Sequence, residues 1–168
     1  MTPDTMPSTD AFRHAMAHFA SGVTVITTQE AGVPSGFIAT SVCSLSVDPV
    51  TLLVCVNKSS SSHDVILRSK AFSVNLLSAS QTAVANRFTA YRGAERFEPG
   101  LWVVGETGCP RLIGAAVTFD CDVIAVHDGY SHSIIVGKVV NAAVHPEASE
   151  SCLLWQNRAF ARSVSAVV

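Results

Sequence analysis

Residues 36–63 read GFIATSVCSLSVDPVTLLVCVNKSSSSH, and the predicted fold is built outward from this stretch. Residues 42–46 alternate apolar and small polar side chains, which is typical of a half-buried strand. Asp48-Pro49 is a common start of a turn. Residues 51–56 form a continuous apolar run rich in β-branched side chains, which predicts a strand buried on both faces. The stretch therefore predicts two strands joined by a tight turn.

The second strand is followed by the polar segment Asn-Lys-Ser-Ser-Ser-Ser, residues 57–62, and residues 63–68 have the pattern of a short helix. Unpaired backbone N–H groups and the positive end of the helix dipole meet at a helix start, and Lys58 adds a full charge. The segment therefore suits a bound anion. A flexible serine loop with a serine N-cap explains the same composition equally well.

The remaining segments predict a small barrel. A helix capped at Thr9 or Asp10 carries Phe12, Met16 and Phe19 on one stripe and ends at Gly22. Further strands are predicted over residues 23–28, 71–77, 116–124 and 133–141, and a further helix over residues 81–88. A turn at Asp128-Gly129 joins the last two strands as a hairpin. Six or seven strands with two or three short helices fit a barrel better than a βαβ fold.

Composition and charge exclude several classes of partner. The chain has 168 residues, of which 48% are hydrophobic and 14% charged, and its net charge is −2. We expect no nucleic-acid or membrane binding, because that charge is weakly negative and no apolar run reaches the about 20 residues of a bilayer span. The N-terminus lacks the basic and apolar segments of a signal peptide. We expect one cytoplasmic domain over residues 1–168, with a flexible tail at residues 1–8 and surplus apolar surface covered in a dimer.

The cysteines and histidines do not predict a metal site. The five cysteines contain no Cys-x-x-Cys pair, which argues against zinc-ligand and redox-dithiol chemistry. Cys43, Cys55 and Cys121 lie in apolar, strand-like segments, where cysteine packs as a small hydrophobic residue. His14 and His18 are four residues apart but have no third ligand beside them, so we expect surface histidines.

A family resemblance is carried by the pattern Gly-x-x-Ala-x-Ser, Ser-x-Ser-x-Asp-Pro and Leu-Leu-Val-Cys-x-Asn-Lys-Ser-x-Ser in residues 36–61. The pattern resembles the short-chain flavin reductases of two-component aromatic monooxygenases, in particular the reductase component of 4-hydroxyphenylacetate 3-monooxygenase. The resemblance extends over nearly the whole chain. It implies a mainly β, Greek-key-like split β-barrel of the FMN-binding type with a few short helices. It also implies a homodimer that reduces FMN or FAD with NADH or NADPH, the cofactors carrying the reaction.

The resemblance also implies the flavin contacts. The flavin ring would lie against a strand edge, and its phosphate would bind at the serine-rich segment. Arg87 and Phe88 would lie near the far side or the tail of the flavin, and Phe160 belongs to a bulky C-terminal segment that could close over a ligand. The ring contacts are Phe37, Ile38, Ala39, Thr40, Ser41 and Ser44, and the phosphate contacts are Asn57, Lys58, Ser59, Ser60, Ser61 and Ser62.

The nicotinamide contacts are implied by residues 130–139, which read YSHSIIVGKV. The family commonly shows Gly-Asp-His-x-Ile-x-x-Gly-x-Val, so His132 matches, whereas Tyr130 and Ser131 replace the glycine and the aspartate. The match implies that His132 orients NADH, with Tyr130 and Ser131 beside it. Without the resemblance, a lone histidine at a strand start is more often structural. Ile38 stands where threonine is typical, so the resemblance leaves the preference between FMN and FAD open.

The sequence shows no Gly-x-Gly-x-x-Gly for a Rossmann domain and no Gly-x-Ser-x-Gly for a hydrolase. The resemblance implies an NADH-dependent flavin reductase that supplies reduced flavin by diffusion to a separate monooxygenase. The alternatives are a non-catalytic flavin-binding carrier or sensor and a flavin oxidase of the pyridoxamine-phosphate oxidase type. The sequence leaves open FMN or FAD, NADH or NADPH, the partner oxygenase and its substrate, and whether flavin is a tightly bound group or a substrate.

Overall fold

The computed structural model describes residues 8–166, which are mainly antiparallel β-sheet. The helices are α1 (Thr9–Ala17), α2 (Ser61–Ser69), α3 (Thr82–Ala90) and α4 (Pro146–Ser149), and a 3₁₀ helix spans Gly93–Arg96. The strands are β1 (Ser21–Gly22), β2 (Thr24–Glu30), β3 (Val33–Ala39), β4 (Val42–Val47), β5 (Val50–Asn57), β6 (Ala71–Leu76), β7 (Trp102–Val104), β8 (Pro110–Leu112), β9 (Val117–Gly129), β10 (His132–Val144), β11 (Leu153–Gln156) and β12 (Ala159–Arg162).

Seven of these strands form one sheet that curls into a barrel. Their order is β3-β2-β6-β9-β10-β5-β4, so the two edge strands, β3 and β4, follow each other along the chain. The short link Thr40-Ser41 therefore brings the two edges together, and Cys55 N–H donates to the Ser41 carbonyl at 3.2 Å, which extends the β4–β5 ladder up to this link. This closure confirms the prediction of a mainly β split barrel.

The barrel interior is filled by large apolar side chains from facing strands. Ile26, Val54, Phe72 and Ile135 are fully buried there, and each such side chain stabilises the fold by about 1.5–3 kcal/mol. Gly137 makes room for one of them, since a Cβ at this position would lie 2.5 Å from Cζ of Phe72. A second buried cluster packs α3 and β11 against β2.

Most predicted elements are confirmed, with corrections at their ends. Helix α1 is capped by Ser8, whose Oγ accepts from Ala11 N–H, and its C-cap is His18 rather than Gly22. Ser8 is thus part of the helix cap, while residues 1–7 of the predicted tail lie outside the described residues. The last hairpin turns at Tyr130-Ser131 rather than at Asp128-Gly129, because β9 continues to Gly129.

The predicted strand count is too low because the short strands outside the barrel carry no clear alternation in sequence. Strands β1, β11 and β12 form one small sheet, and β7 and β8 form another. Strand β4 is also more exposed than predicted: Cys43 and Val47 are exposed, because β4 is an edge strand. Cys55 is half-buried, and Cys121 is buried, which raises the pKa of its thiol to about 12.

Within residues 8–166, no helix is long and apolar enough to cross a membrane.

Candidate functional site

The serine loop, residues 57–62, connects β5 to α2 and is shaped by its own side chains. Asn57 Oδ1 accepts hydrogen bonds from the N–H and the hydroxyl of Ser59, both at 2.8 Å. Ser60 is the N-cap of α2, and its Oγ accepts from Ser62 N–H at 3.3 Å. Ser62 is buried and its hydroxyl bonds that of Ser35 at 2.8 Å. The predicted serine N-cap is therefore confirmed at Ser60, and anion binding at this segment stays a prediction.

Ser61 differs from the other serines of the loop. It is exposed at the first position of α2, and neither its hydroxyl nor its N–H bonds another group within residues 8–166. The first N–H groups of a helix attract anions, because they have no partner inside the helix and lie at the positive end of its dipole. Lys58 supplies the nearby positive charge and forms an exposed ion pair with Asp128. Lys58 lowers the pKa of the Asp128 carboxyl.

The histidine turn, Tyr130, Ser131 and His132, lies directly beside the serine loop. His132 pairs with Asn57 across the β10–β5 ladder, and Lys58 N–H donates to the Ser131 carbonyl at 3.0 Å. The predicted phosphate and nicotinamide contacts, far apart in sequence, are thus neighbours in space.

Each residue of the histidine turn has a different environment. Tyr130 is 92% exposed at a positive φ of 63°, the left-handed conformation that a tight turn requires. Ser131 Oγ lies 2.9 Å from Nδ1 of His132 and restrains the imidazole ring. The other ring nitrogen, Nε2, bonds no residue between 8 and 166. His132 therefore keeps one nitrogen for a ligand.

The predicted ring contacts occupy the end of β3 and its connection to β4. Ala39 is buried, and its carbonyl accepts from Thr24 Oγ1 at 2.7 Å. Thr40 and Ser44 are exposed. Ser41 Oγ donates to the Cys55 carbonyl at 3.1 Å, which brings this strand end close to the serine loop at the end of β5. Phe37 packs against the barrel core and Ile38 against the second cluster.

An apolar pocket of about 240 Å³ opens beside Ile38 and Thr40. The C-terminal hairpin forms one wall with Trp155 and Phe160, whose rings meet edge to face at 5.3 Å. The lining residues are Val23, Ile38, Thr40, Ala85, Thr89, Trp155 and Phe160. Phe160 therefore joins the predicted ring contacts, whereas Trp155 and Thr89 are not among the residues predicted from the sequence.

Arg87 and Phe88 have different surroundings on α3. Phe88 is only 2% exposed, and its ring packs 5.3 Å from Phe97 and 5.8 Å from Trp102. Its side chain therefore fills the core. The Arg87 guanidinium lies 4.7 Å over the Tyr91 ring, and its Nε is buried with no hydrogen-bond partner among the described residues.

Two polar residues beside this region are not identified from the sequence. His63 is buried on α2 and bonds Ser133 of β10. Its burial follows from helix periodicity, since His63 and the core residue Ile66 are three positions apart on one face. Arg96 Nη1 donates to the Gly36 carbonyl at 2.6 Å, and partial burial lowers the pKa of its guanidinium. Only the fold brings these groups to the site.

Comparisons with known proteins give consistent results. The profile of the family described as "Flavin reductase like domain" matches residues 16–163. A curated protein named FMN reductase (NADH) RutF, from Agrobacterium fabrum, is 38% identical over 150 residues, covering 89% of this chain and 85% of that protein.

Two solved structures are also similar. Nitrilotriacetate monooxygenase component B from Mycobacterium thermoresistibile has a TM-score of 0.86 at 35% identity, over 92% of this chain and 86% of that chain. The NADH:FAD oxidoreductase SgcE6 of Streptomyces globisporus, solved with NAD and FAD fragments, has a TM-score of 0.84 at 30% identity, over 92% of each chain.

Proposed function

This chain belongs to the flavin reductase-like domain family, and from that premise we propose that it reduces FMN with NADH and releases the reduced flavin. In this reaction a hydride passes from the nicotinamide to the flavin ring and one proton is taken up, giving NAD⁺ and reduced flavin. The transfer itself is the chemistry of the two bound molecules. The protein has to bind the phosphate, place the ring and admit the nicotinamide beside it.

The observation that carries the proposal is the contact between the serine loop and the histidine turn. The N–H and hydroxyl of Ser61, at the start of α2, suit a terminal phosphate, and Lys58 adds charge. His132 of β10 pairs with Asn57, the first residue of the serine loop. The flavin phosphate can therefore bind at the loop while the nicotinamide contacts the histidine. Asn57, Ser59, Ser60 and Ser62 contribute mainly by fixing the loop.

We propose that the flavin ring lies along the end of β3 and reaches the pocket lined by Thr40 and Phe160. Small side chains at Ala39, Thr40 and Ser41 allow a flat ring to approach the main chain, and β3 pairs with β2 on one side only. Arg87, on the neighbouring helix α3, has a buried Nε that is unpaired among residues 8–166, and this donor suits a polar group of the flavin tail.

We propose that His132 orients the nicotinamide. Ser131 Oγ bonds Nδ1 of His132, so the ring is held while Nε2 remains available. The turn is exposed at Tyr130 and Ser131, which allows the donor to enter and NAD⁺ to leave. A separate monooxygenase takes up the released flavin, and the similarity to nitrilotriacetate monooxygenase component B supports this kind of partner.

The exposed apolar surface supports a homodimer as the working assembly. Strands β9, β10, β5 and β4 are neighbours in the sheet and carry exposed apolar side chains, namely Ile124, Val126, Val140, Val50, Val47 and Leu45. Exposed apolar side chains concentrated on neighbouring strands are typical of a protein interface. Ile124→Lys should yield a monomer by size-exclusion chromatography with light scattering, whereas the control Val104→Lys, an exposed residue of β7 outside the patch, should leave a dimer.

The proposed reaction is tested by mixing purified protein, excess FMN and NADH and following the NADH absorbance under anaerobic conditions. Stoichiometric loss of NADH with bleaching of the flavin is expected. Flavin binding without NADH oxidation would favour a carrier or sensor. No flavin binding at all would reject the proposed function.

A further inference from the structure

A buried histidine connects the helix after the serine loop to the strand that carries the histidine turn. His63, in the first turn of α2, is 7% exposed. Its Nδ1 lies 2.8 Å from Oδ1 of Asp64, and its Nε2 lies 2.9 Å from Oγ of Ser133. Ser133 is 5% exposed and follows His132 directly on β10. One imidazole therefore joins the helix that begins at the serine loop to the strand that carries the histidine turn.

Both ring nitrogens of His63 have a hydrogen-bond partner. A carboxylate only accepts hydrogen bonds, so Nδ1 of His63 carries a proton and donates to Asp64. Nε2 bonds the hydroxyl of Ser133, which can act as donor or as acceptor. Asp64 is exposed, whereas the bond between His63 and Ser133 is buried. Water competes poorly for such a bond, so its loss leaves a buried group unsatisfied.

This bond is buried, unlike two other links that join the serine loop region to β9–β10 beside the ladder pair of Asn57 with His132. The other two are the backbone bond from Lys58 N–H to the Ser131 carbonyl and the ion pair of Lys58 with Asp128, and both involve exposed residues. Exposed links contribute little rigidity because water and salt compete with them. Strand β10 is held by ladders to β9 and β5, so the bond ties the start of α2 to the sheet at β10, as the bond between Ser62 and Ser35 ties it at β3.

We propose that His63 is a positioning residue for the flavin phosphate: through Ser133 it holds the first turn of α2, and so the Ser61 N–H, at a fixed place relative to the sheet. This inference rests on the proposed function, because it assumes that the phosphate binds at the serine loop. His63 itself is buried and does not touch the flavin. Its effect is confined to ligands that carry a phosphate.

The contacts of Asp64, His63 and Ser133 resemble those of a hydrolytic triad, but the burial of Ser133 argues against that role. The Ser133 hydroxyl lies on an inward-facing strand position next to Ile135, a core residue. A nucleophile has to reach the substrate carbonyl, which a residue 5% exposed cannot do. The arrangement therefore serves to hold the helix in place.

The test compares FMN with riboflavin, which has the same ring but no phosphate, using quenching of flavin fluorescence to measure Kd. Ser133→Ala removes one oxygen and should weaken FMN binding about fivefold, the effect of one lost hydrogen bond. Riboflavin binding should not change. His63→Gln, whose amide can still reach Ser133, should stay within about twofold of wild type, whereas His63→Ala should match Ser133→Ala.

A matched control separates positioning from general loss of stability. Ser73 is another buried strand serine, and its hydroxyl donates to Asp120 at 2.6 Å on a different part of the sheet. Ser73→Ala should lower the unfolding midpoint without changing the ratio of FMN to riboflavin affinity. If His63→Ala does not fold, Ser133→Ala and His63→Gln still give the comparison.

The outcomes are distinct. Equal FMN affinity in wild type and Ser133→Ala overturns the positioning role, and so does an equal loss for FMN and riboflavin. A wild-type protein that binds FMN no better than riboflavin overturns instead the proposed phosphate site at the serine loop. A loss confined to FMN, rescued by glutamine at position 63, supports the inference.

Discussion

Two polar clusters in this protein contain similar residues and differ in how their polar groups are paired. The first is the serine loop with the histidine turn. The second, the Asp120 network, surrounds a carboxylate that is 0% exposed. Asp120 accepts from Ser73 Oγ at 2.6 Å, Glu106 N–H at 3.1 Å, Asn141 Nδ2 at 3.2 Å and Arg111 Nη1 at 3.4 Å. In sequence, both clusters are scattered hydroxyl, amide and charged residues.

The difference lies in whether their polar groups already have partners. Both oxygens of Asp120 are used, and the network ties the segment that carries β7 and β8 to the barrel. At the serine loop, the Ser61 N–H and hydroxyl and the Nε2 of His132 have no partner among residues 8–166. Burial with complete pairing indicates a structural role, whereas exposed groups without a protein partner remain available to a ligand. Four predictions test this distinction, in order of expected effect.

The largest effect is expected from Asp120→Ala. Four donors would lose their acceptor, among them the buried hydroxyl of Ser73 and the partly exposed guanidinium of Arg111, and each buried donor left unsatisfied costs about 1–3 kcal/mol. Urea unfolding followed by circular dichroism should show this loss, with the remaining folded protein binding FMN normally. The control Asp122→Ala changes an exposed carboxylate on the same strand and should have little effect. A stable Asp120→Ala protein that fails to bind FMN would remove the distinction between the two clusters.

The sequence predicts the serine loop well and the Asp120 network not at all, for a physical reason. The N-cap at Ser60 and the start of α2 are decided within a few residues of the chain, so local pattern is sufficient. The Asp120 network depends on contacts between β6, β9, β10 and the segment before β8, which are distant in sequence. The pairing of His132 with Asn57 has the same origin, so the resemblance implies both residues but only the fold joins them.

Burial is the property of the candidate site that is hardest to predict from sequence. Phe88 is a predicted flavin contact, and its ring lies in the cluster with Phe97 and Trp102. Ser62 is a predicted phosphate contact, and its hydroxyl bonds Ser35 inside the fold. In both cases the residue type suits the site, but the side-chain direction depends on tertiary packing that a single sequence does not determine. Whether these positions touch the flavin remains a prediction.

The next largest effect is expected from Ser61→Asp, which changes the serine loop. A carboxylate at the first position of α2 would repel the phosphate, and we expect FMN affinity to fall about tenfold with riboflavin affinity unchanged. The fold should not be destabilised, because an acidic residue is favourable at a helix N-terminus. Thr9→Asp places the same charge at the first position of α1 and is the matched control. Unchanged FMN affinity in Ser61→Asp would show that the phosphate binds elsewhere.

His132→Ala separates the proposed role of the histidine turn from that of the serine loop. Loss of one hydrogen bond to the nicotinamide should raise the KM for NADH about fivefold while the Kd for FMN stays close to wild type. Steady-state kinetics at saturating FMN measure the first quantity and fluorescence quenching measures the second. His127→Ala changes an exposed histidine on β9, opposite Ile134, and should leave both unchanged. An equal KM for NADH in wild type and His132→Ala would reject the role of His132.

The smallest effect is expected from Asp128→Asn, which breaks the exposed ion pair with Lys58 and frees this cation for the phosphate. FMN affinity should rise about twofold at low salt, and the gain should shrink as salt screens the charge.

The ion pair of Lys58 with Asp128 also affects the stability of the fold, and its contribution depends on pH. Because Lys58 lowers the pKa of Asp128 below the usual 3.8, the pair stabilises the fold above the pKa of the unfolded chain and is lost as pH falls through the lowered value. The difference in unfolding midpoint between wild type and Asp128→Asn should therefore close as pH falls from about 6 to about 3. A difference that persists in acid would mean that Asp128 acts through the hairpin turn and not through Lys58, and Lys58 would then be available to a ligand in the wild-type protein as well.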